Sequence, residues 1–289
     1  MYTSLRLIAL TLTIFLWLLT TDSEVGCIQS ERHALLNFKQ HLIDPSDRLA
    51  SWAAADVDCC HWFGVVCHNR TGHVHQLHLR SFFPTTTDDA QWDAQYEAYE
   101  RSVFGGKIDP SLLELKHLIY LDLSYNDFKY TPIPKFLCSM GSLRYLNLSH
   151  AGFGGLIPPQ LGNLSHLHYL NLGGSSYYNN LYVMNLQWLS TLPLLQHLDL
   201  TSVNLSKASD WLQEISKLPS LSELRLSYCD LSSFFSPMHK INFSSLTTLD
   251  LLSNSFENTS ILFWVFGLHN LLSLDLSYNL FQGDRKSVV

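Results

Sequence analysis

Charge is scarce in this chain. Only 15% of its 289 residues are Asp, Glu, Lys or Arg, and 18 basic residues face 25 acidic ones, a net charge of −7. That balance excludes the clustered Lys and Arg by which proteins grip nucleic-acid phosphates, so no nucleic-acid partner is expected. The chain also lacks GxSxG, a glycine-rich phosphate loop and HExxH, which removes the usual local signatures of nucleophilic hydrolysis, nucleotide binding and zinc hydrolysis. No catalytic residue, cofactor or metal is expected.

Long hydrophobic runs are missing everywhere but at the start. MYTSLRLIALTLTIFLWLLTTDSEVG places Arg6 before thirteen uncharged, mostly apolar residues, Leu7 to Leu19. Thirteen is short of the ~20 that span a bilayer, and it suits a cleaved signal peptide over residues 1–24. Its removal leaves 17 basic and 23 acidic residues, a net −6. The next strongest run, ILFWVFGL at 261–268, has eight residues. The sequence therefore reads as exported, with no membrane anchor of its own.

Cysteine is sparse and uneven. Cys27, Cys59, Cys60 and Cys67 crowd together, while Cys138 and Cys229 stand alone. A compact group of four in an exported chain reads as a disulfide framework with three possible connectivities. Adjacent Cys59-Cys60 lacks the two-residue gap with which a CxxC turn holds zinc.

What the chain has instead is leucine at a fixed period. LIYLDLSYNDF (118–128), LRYLNLSHAGF (143–153), LHYLNLGGSSY (167–177), LQHLDLTSVNL (195–205), LSELRLSYCDL (221–231), LTTLDLLSNSF (246–256) and LLSLDLSYNLF (271–281) share the frame LxxLxLxxNxF. All 21 leucine positions hold leucine, and the starts are 25, 24, 28, 26, 25 and 25 residues apart. This is the leucine-rich-repeat signature. Each LxL puts two leucines on one side of a short strand, because strand side chains alternate. No single repeat can bury that face, so stacked repeats form one core, in which a fully buried leucine contributes about 1.5–3 kcal/mol. The expected fold is an α/β solenoid, a right-handed superhelix with a parallel concave sheet.

Asn at the ninth frame position hydrogen-bonds backbone across the turn. That row reads Asn126, Ala151, Ser175, Val203, Cys229, Asn254, Asn279, so the ladder is expected to break at Ala151 and Val203. Cys138 and Cys229 are four repeats apart, roughly 19 Å at ~4.8 Å per strand, and read as buried free thiols. Ile133-Pro134 and Ile157-Pro158 mark where the chain turns toward the convex side, since proline fixes φ and donates no hydrogen bond. Trp188, Trp211 and Trp264 are expected to pack that side. Two excursions interrupt the period. One, PTTTDDAQWDAQYEAYERSVFGG, has Trp92, Tyr96, Tyr99 and Val103 at helical spacing; the other lies around SSYYNNLY (175–182). HVHQLH places His78 on the concave face and His73 and His75 near the start of the repeats, so a shared metal is not expected.

Ahead of the repeats, Ala34, Leu35, Phe38 and Leu42 form one apolar helical face, ended by Asp44-Pro45, that can cover the first coil. The stretch C27-IQSERHALLNFKQHLIDPSDRLASW to GVVC-67 resembles the plant-type leucine-rich-repeat N-terminal cap, ExxALLxFKxxLxDPxxxLxSWxxxxDCCxWxGVxC. With the LxGxIP-type wording of the repeats, the chain resembles the beginning of the ectodomain of plant receptor-like proteins. The resemblance implies disulfides Cys27–Cys59 and Cys60–Cys67, a cap over 25–72 and about eight repeats over 73–289, the last incomplete. It further implies a non-catalytic plasma-membrane or secreted glycoprotein that binds an extracellular peptide, protein or glycan and signals, in defence or development, through co-receptor or adaptor receptor kinases. Six N-x-S/T sequons at Asn69, Asn147, Asn163, Asn204, Asn242 and Asn258 suit that compartment. A polygalacturonase-inhibitor-like protein is the alternative, though no closing cysteines follow Cys229.

The frame also assigns the solvent-facing strand positions. One row runs Tyr120, Tyr145, Tyr169, His197, Glu223, Thr248, Ser273, and the next Asp122, Asn147, Asn171, Asp199, Arg225, Asp250, Asp275. Tyr120, Asp122, Tyr145, Tyr169, Asn171, His197, Asp199, Glu223 and Arg225 are the candidate ligand contacts, because tyrosines in sequence offer the large amphipathic area of binding hot spots. A glycan on Asn147 would obstruct that face. After Gly283 the chain has Asp284-Arg285-Lys286 where the repeat needs Ile-Pro, so the last coil is expected to fray and the chain to be a truncated form of something longer.

Overall fold

The computed structural model describes residues 26–84, 86, 88–175, 180–232, 243–257 and 264–281. The signal-peptide reading, Asn242, Asn258 and the residues after 281 lie outside them, as do 176–179 of the second excursion.

Cap helix α1 spans Gln29–His41 and buries Glu31, Arg32, Ala34, Leu35 and Phe38. It stops earlier than its apolar face suggests. Leu42–Ile43 leaves the helix as strand β1 and pairs antiparallel with β4, Gly105–Gly106. Strand β2 (Val65–Cys67) pairs antiparallel with β3 (Val74–His78), the first strand of the solenoid proper. Helix α2, Asp89–Ser102, fills the first excursion and gathers Trp92, Tyr96 and Tyr99 around Phe83, with ring centroids 5.1–6.2 Å apart.

Among the described residues the main sheet has nine strands, in the order β13-β12-β11-β10-β8-β6-β5-β3-β2. Its repeat strands are β5 (Tyr120–Asp122), β6 (Tyr145–Asn147), β8 (Tyr169–Asn171), β10 (His197–Asp199), β11 (Glu223–Arg225), β12 (Thr248–Asp250) and β13 (Ser273–Asp275). From β3 onward they pair in parallel and in strict register. Leu77, Leu121, Leu146, Leu170, Leu198, Leu224, Leu249 and Leu274 stand side by side. The period-two alternation sends these leucines inward, where all but Leu274 are buried. A second sheet of two parallel strands, β7 (Gly154–Leu156) and β9 (Asn180–Tyr182), runs along the flank. Isolated bridges Thr131↔Phe153 and Tyr182↔Asn204 prolong its line. The sequence reading did not foresee it; the glycine pair in GGLIP is its trace. On the convex side, 3-10 turns follow Pro134 and Pro158, and α3 (Trp211–Ile215) buries Trp211, which meets Trp264 edge-on at 6.5 Å.

Cys27–Cys59 and Cys60–Cys67 are bonded, with Cα atoms 5.3 and 5.4 Å apart. Cys27, Cys59 and Cys60 do bring their sulfurs within 4.8 Å of one another, but as disulfides they offer no thiolate to a metal. The asparagine ladder is present at both ends. Asn126 Nδ2 donates to Leu79 O (2.9 Å), Asn254 Nδ2 to Leu226 O (2.8 Å) and Asn279 Nδ2 to Leu251 O (3.0 Å), each reaching the preceding coil. Ala151 and Val203 are buried in the break. Cys229 keeps one rung, its thiol donating to Leu200 O at 3.1 Å. Burial pushes that thiol far above its ordinary pKa and the buried Cys138 thiol up to about 11, so neither presents a nucleophilic thiolate at neutral pH. No helix among the described residues is long and apolar enough to cross a membrane.

Candidate functional site

Parallel strands in register place equivalent side chains one coil apart, and on the concave face that spacing is close to ring-stacking distance. Tyr120 stacks on Tyr145 at 4.0 Å, Tyr145 on Tyr169 at 4.2 Å and Tyr169 on His197 at 4.1 Å, with rings within 12° of parallel. His78 leans against the end of the stack, its ring 4.3 Å from Tyr120 and tilted by 31°. His78 belongs to the neighbouring row, in register with Asp122, which is why row assignment alone did not place it there. The inner rings spend both faces on each other. What they turn outward is therefore a line of ring edges and hydroxyls. Burial raises the Tyr120 pKa, pushes Tyr145 up to about 12 and raises Tyr169 as well, so the three tyrosines are neutral throughout the physiological range.

The acid-amide row has a structural duty. Oδ1 of Asp122, Asn147, Asn171, Asp199, Asp250 and Asp275 accepts the backbone N–H two residues on, at 2.9–3.0 Å. This is the local turn that Asx side chains favour, and here it ends each strand. Only the second polar atom of each is left for other work. Tyr120 donates to Asp122 Oδ2 at 3.5 Å, Asn147 Nδ2 reaches Tyr145 Oη at 3.3 Å, and Asn171 Nδ2 reaches Asp199 Oδ2 at 3.2 Å. Arg225 breaks the row. Its Nε donates to Glu223 Oε1 at 2.7 Å, while Glu223 Oε2 meets His197 Nδ1 at 2.8 Å. Partial burial raises the Glu223 pKa, but hydrogen bonds from Arg225 and His197 outweigh it and hold the carboxyl below its usual range. The other ring nitrogen of His197 is buried without a hydrogen-bond partner. The stack thus ends in an imidazole–carboxylate–guanidinium chain.

At the eighth frame position the backbone turns left-handed. Tyr125, His150, Ser202, Tyr228, Ser253 and Tyr278 have φ between 51° and 64°, a conformation costing roughly 1–2 kcal/mol per non-glycine residue. These side chains stand along the rim of the concave face. Tyr125 and His150 stack at 4.6 Å, Arg80 lies 4.8 Å over the Tyr125 ring, and Tyr228 is 45% exposed. A groove of about 950 Å³ runs beside them, walled on one side by Tyr96 and Tyr99 of α2. Sequence rows named the concave strands but not this rim; its only trace is the bulky residue before the ladder asparagine.

Glu31, the first letter of the cap pattern, is 2% exposed and joins cap to solenoid. Its carboxylate accepts Val74 N–H at 2.7 Å and meets His73 Nδ1 at 2.9 Å. His73 packs on His117 and His75 on His68, while His78 leans on Tyr120, so the three histidines of HVHQLH point to different neighbours. Among the sequons, Asn69, Asn163 and Asn204 are exposed. Asn147 is 6% exposed, and its Oδ1 accepts from Ser149 N–H and Oγ at 3.0 and 2.7 Å.

Two family models match. The leucine rich repeat N-terminal domain covers residues 28–68, and the Leucine Rich Repeat covers 117–140 and 142–164. Receptor-like protein EIX1 of Solanum lycopersicum is 41% identical over 96% of this chain, and receptor-like protein EIX2 of the same plant 44% identical over 90%. The chain spans 27% and 25% of those two proteins. A crystal structure of PEPR1-AtPEP1 superposes with a TM-score of 0.57 at 26% identity, covering 89% of this chain and 36% of that one. Cap, disulfides and repeat register agree with these matches: the chain carries a leucine-rich-repeat N-terminal domain followed by leucine-rich repeats, and over nearly its whole length it is similar to plant receptor-like proteins.

Proposed function

We propose that the chain is the ligand-recognition part of a non-catalytic extracellular receptor-like protein. The observation that carries this is the four-ring stack from Tyr120 to His197, with His78 tilted against its end. Its three tyrosines make a rigid, neutral ridge with hydroxyls at one-coil intervals, and rigid aromatic anchors lose little entropy on binding. A peptide or protein ligand would lie across the strands, with its polar groups on the tyrosine hydroxyls and a charged end on Glu223–Arg225. Signalling would pass to partner receptor kinases at the plasma membrane, in defence or development. Exposed Asn69, Asn163 and Asn204 are the proposed glycan carriers.

The test uses the secreted chain immobilised and exposed to fungal culture filtrate and to plant extracellular fluid. A component held by the wild type and lost on combining Tyr145→Ala with Tyr169→Ala, but not with convex Leu113→Ala, supports the reading. Equal retention by all three contradicts it. Stoichiometric inhibition of a fungal polygalacturonase would replace it with an inhibitor.

A further inference from the structure

The left-handed row has a gap. Tyr125 and His150 stand at its cap-proximal end and Tyr228 further along. Between them the frame supplies only Gly174 and Ser202. His150 and Tyr228 are three coils apart, about 14 Å at ~4.8 Å per strand. The result is a slot with an imidazole at one end, a phenol at the other and glycine backbone as part of its floor. One face of His150 is taken by Tyr125, and the ring borders both the rim groove and an adjoining cavity of about 370 Å³ that reaches Asn171, Asp199 and Arg225.

The backbone here does not need aromatics. Serine holds the same left-handed conformation at the same frame position in Ser202 and Ser253, so the backbone places no demand for a ring there. The bulky side chains are therefore held outward on strained backbone with no packing duty in the core. The cavity's charges are balanced, with Arg80 and Arg225 against Asp199 and Asp250, which disfavours a strongly charged guest. Burial and the nearby Arg80 hold the His150 pKa below its ordinary value, against the opposing pull of Asp199.

We propose that the slot between His150 and Tyr228 binds a neutral oligosaccharide, its pyranose rings lying against the imidazole and phenol and its hydroxyls on Asn171, Asp199 and Arg225. A flat ring with one C–H face and a hydroxylated rim uses every part of this arrangement: aromatic faces, glycine floor and mixed donors and acceptors. The site is on the rim and borders the tyrosine ridge, sharing Arg225 with it and touching Tyr169, while the His150 and Tyr228 rings belong to the slot alone.

Calorimetric titration of the secreted chain with hexamers of β-1,4-linked glucose, xylose and N-acetylglucosamine tests it. At least one hexamer binds saturably, and His150→Ala and Tyr228→Ala each weaken it about tenfold. Convex Leu113→Ala leaves it unchanged. Tyr228→Asn keeps the side chain best suited to left-handed backbone, so it retains the wild-type melting temperature while losing affinity. The proposal is overturned if no hexamer binds up to about 10 mM. It is equally overturned if Tyr228→Asn binds as the wild type does, or if a cationic peptide and no sugar occupies the slot.

Discussion

Leu249 and Leu274 are neighbours in register, on adjacent strands, at the same position of the same repeat. Leu249 is 1% exposed and Leu274 44%. Nothing in their own repeats accounts for the difference. Leu249 has a coil on each side, and Leu274 faces only one among the described residues. The frame thus specifies a shape, while burial comes from the neighbour, as expected of a one-dimensional stack. The other end of the molecule shows the remedy. There α1 lays Leu35 and Phe38 over the first coil, and Glu31 fastens the cap to β3. The candidate recognition surfaces sit between the cap and β11, where every coil has two neighbours.

The comparison can be broken most strongly in the leucine row. Leu198→Ala should cost about 2–5 kcal/mol in urea unfolding, and Leu274→Ala less than about 1 kcal/mol, because only the first leaves a closed cavity. Equal losses would show that the end coil is buried in solution. Next comes the cap. Reducing or replacing Cys27–Cys59, which closes a separation of 32 residues, should remove about 3–4 kcal/mol on the chain-entropy account. The ladder gives a smaller effect. Asn254→Ala strips hydrogen bonds from buried Leu226 O and Cys229 N–H and should cost about 1–3 kcal/mol. Asn279→Ala, at the open end, should cost less by the same unfolding measurement.

The smallest effect is in pH. Burial is the first cause holding His78 and His150 below the ordinary histidine pKa. Their folded pKa is depressed, so the neutral form is favoured by the fold. Stability is full above the unfolded value, about 6.5, and declines as pH falls through the folded values. Melting temperatures should drop modestly between pH 7 and pH 5, and His78→Gln with His150→Asn should flatten that slope.

The sequence carried the solenoid with little loss, because leucine spacing, strand alternation and the cap pattern all constrain the same coil. It carried the order of the tyrosines but not what they do with their faces. Alternation says that Tyr145 points outward; only strand spacing in three dimensions says that its faces are covered by Tyr120 and Tyr169. The acid row misled in the same way, since a carboxylate that ends a strand and one that awaits a ligand are the same letter. His78 and the left-handed rim were illegible because both depend on backbone geometry, a ring leaning across rows and a φ sign, that residue type does not encode.

Photocrosslinking at one row position in the two halves tests the central claim most directly. A benzophenone side chain is placed at Tyr169, inside the closed stack, or at Ser273 of the open strand, and both proteins are irradiated in the ligand-containing fluid. Recognition on the closed concave face predicts a discrete adduct from position 169 and none from 273. Adducts of equal yield from both, or from 273 alone, would contradict it.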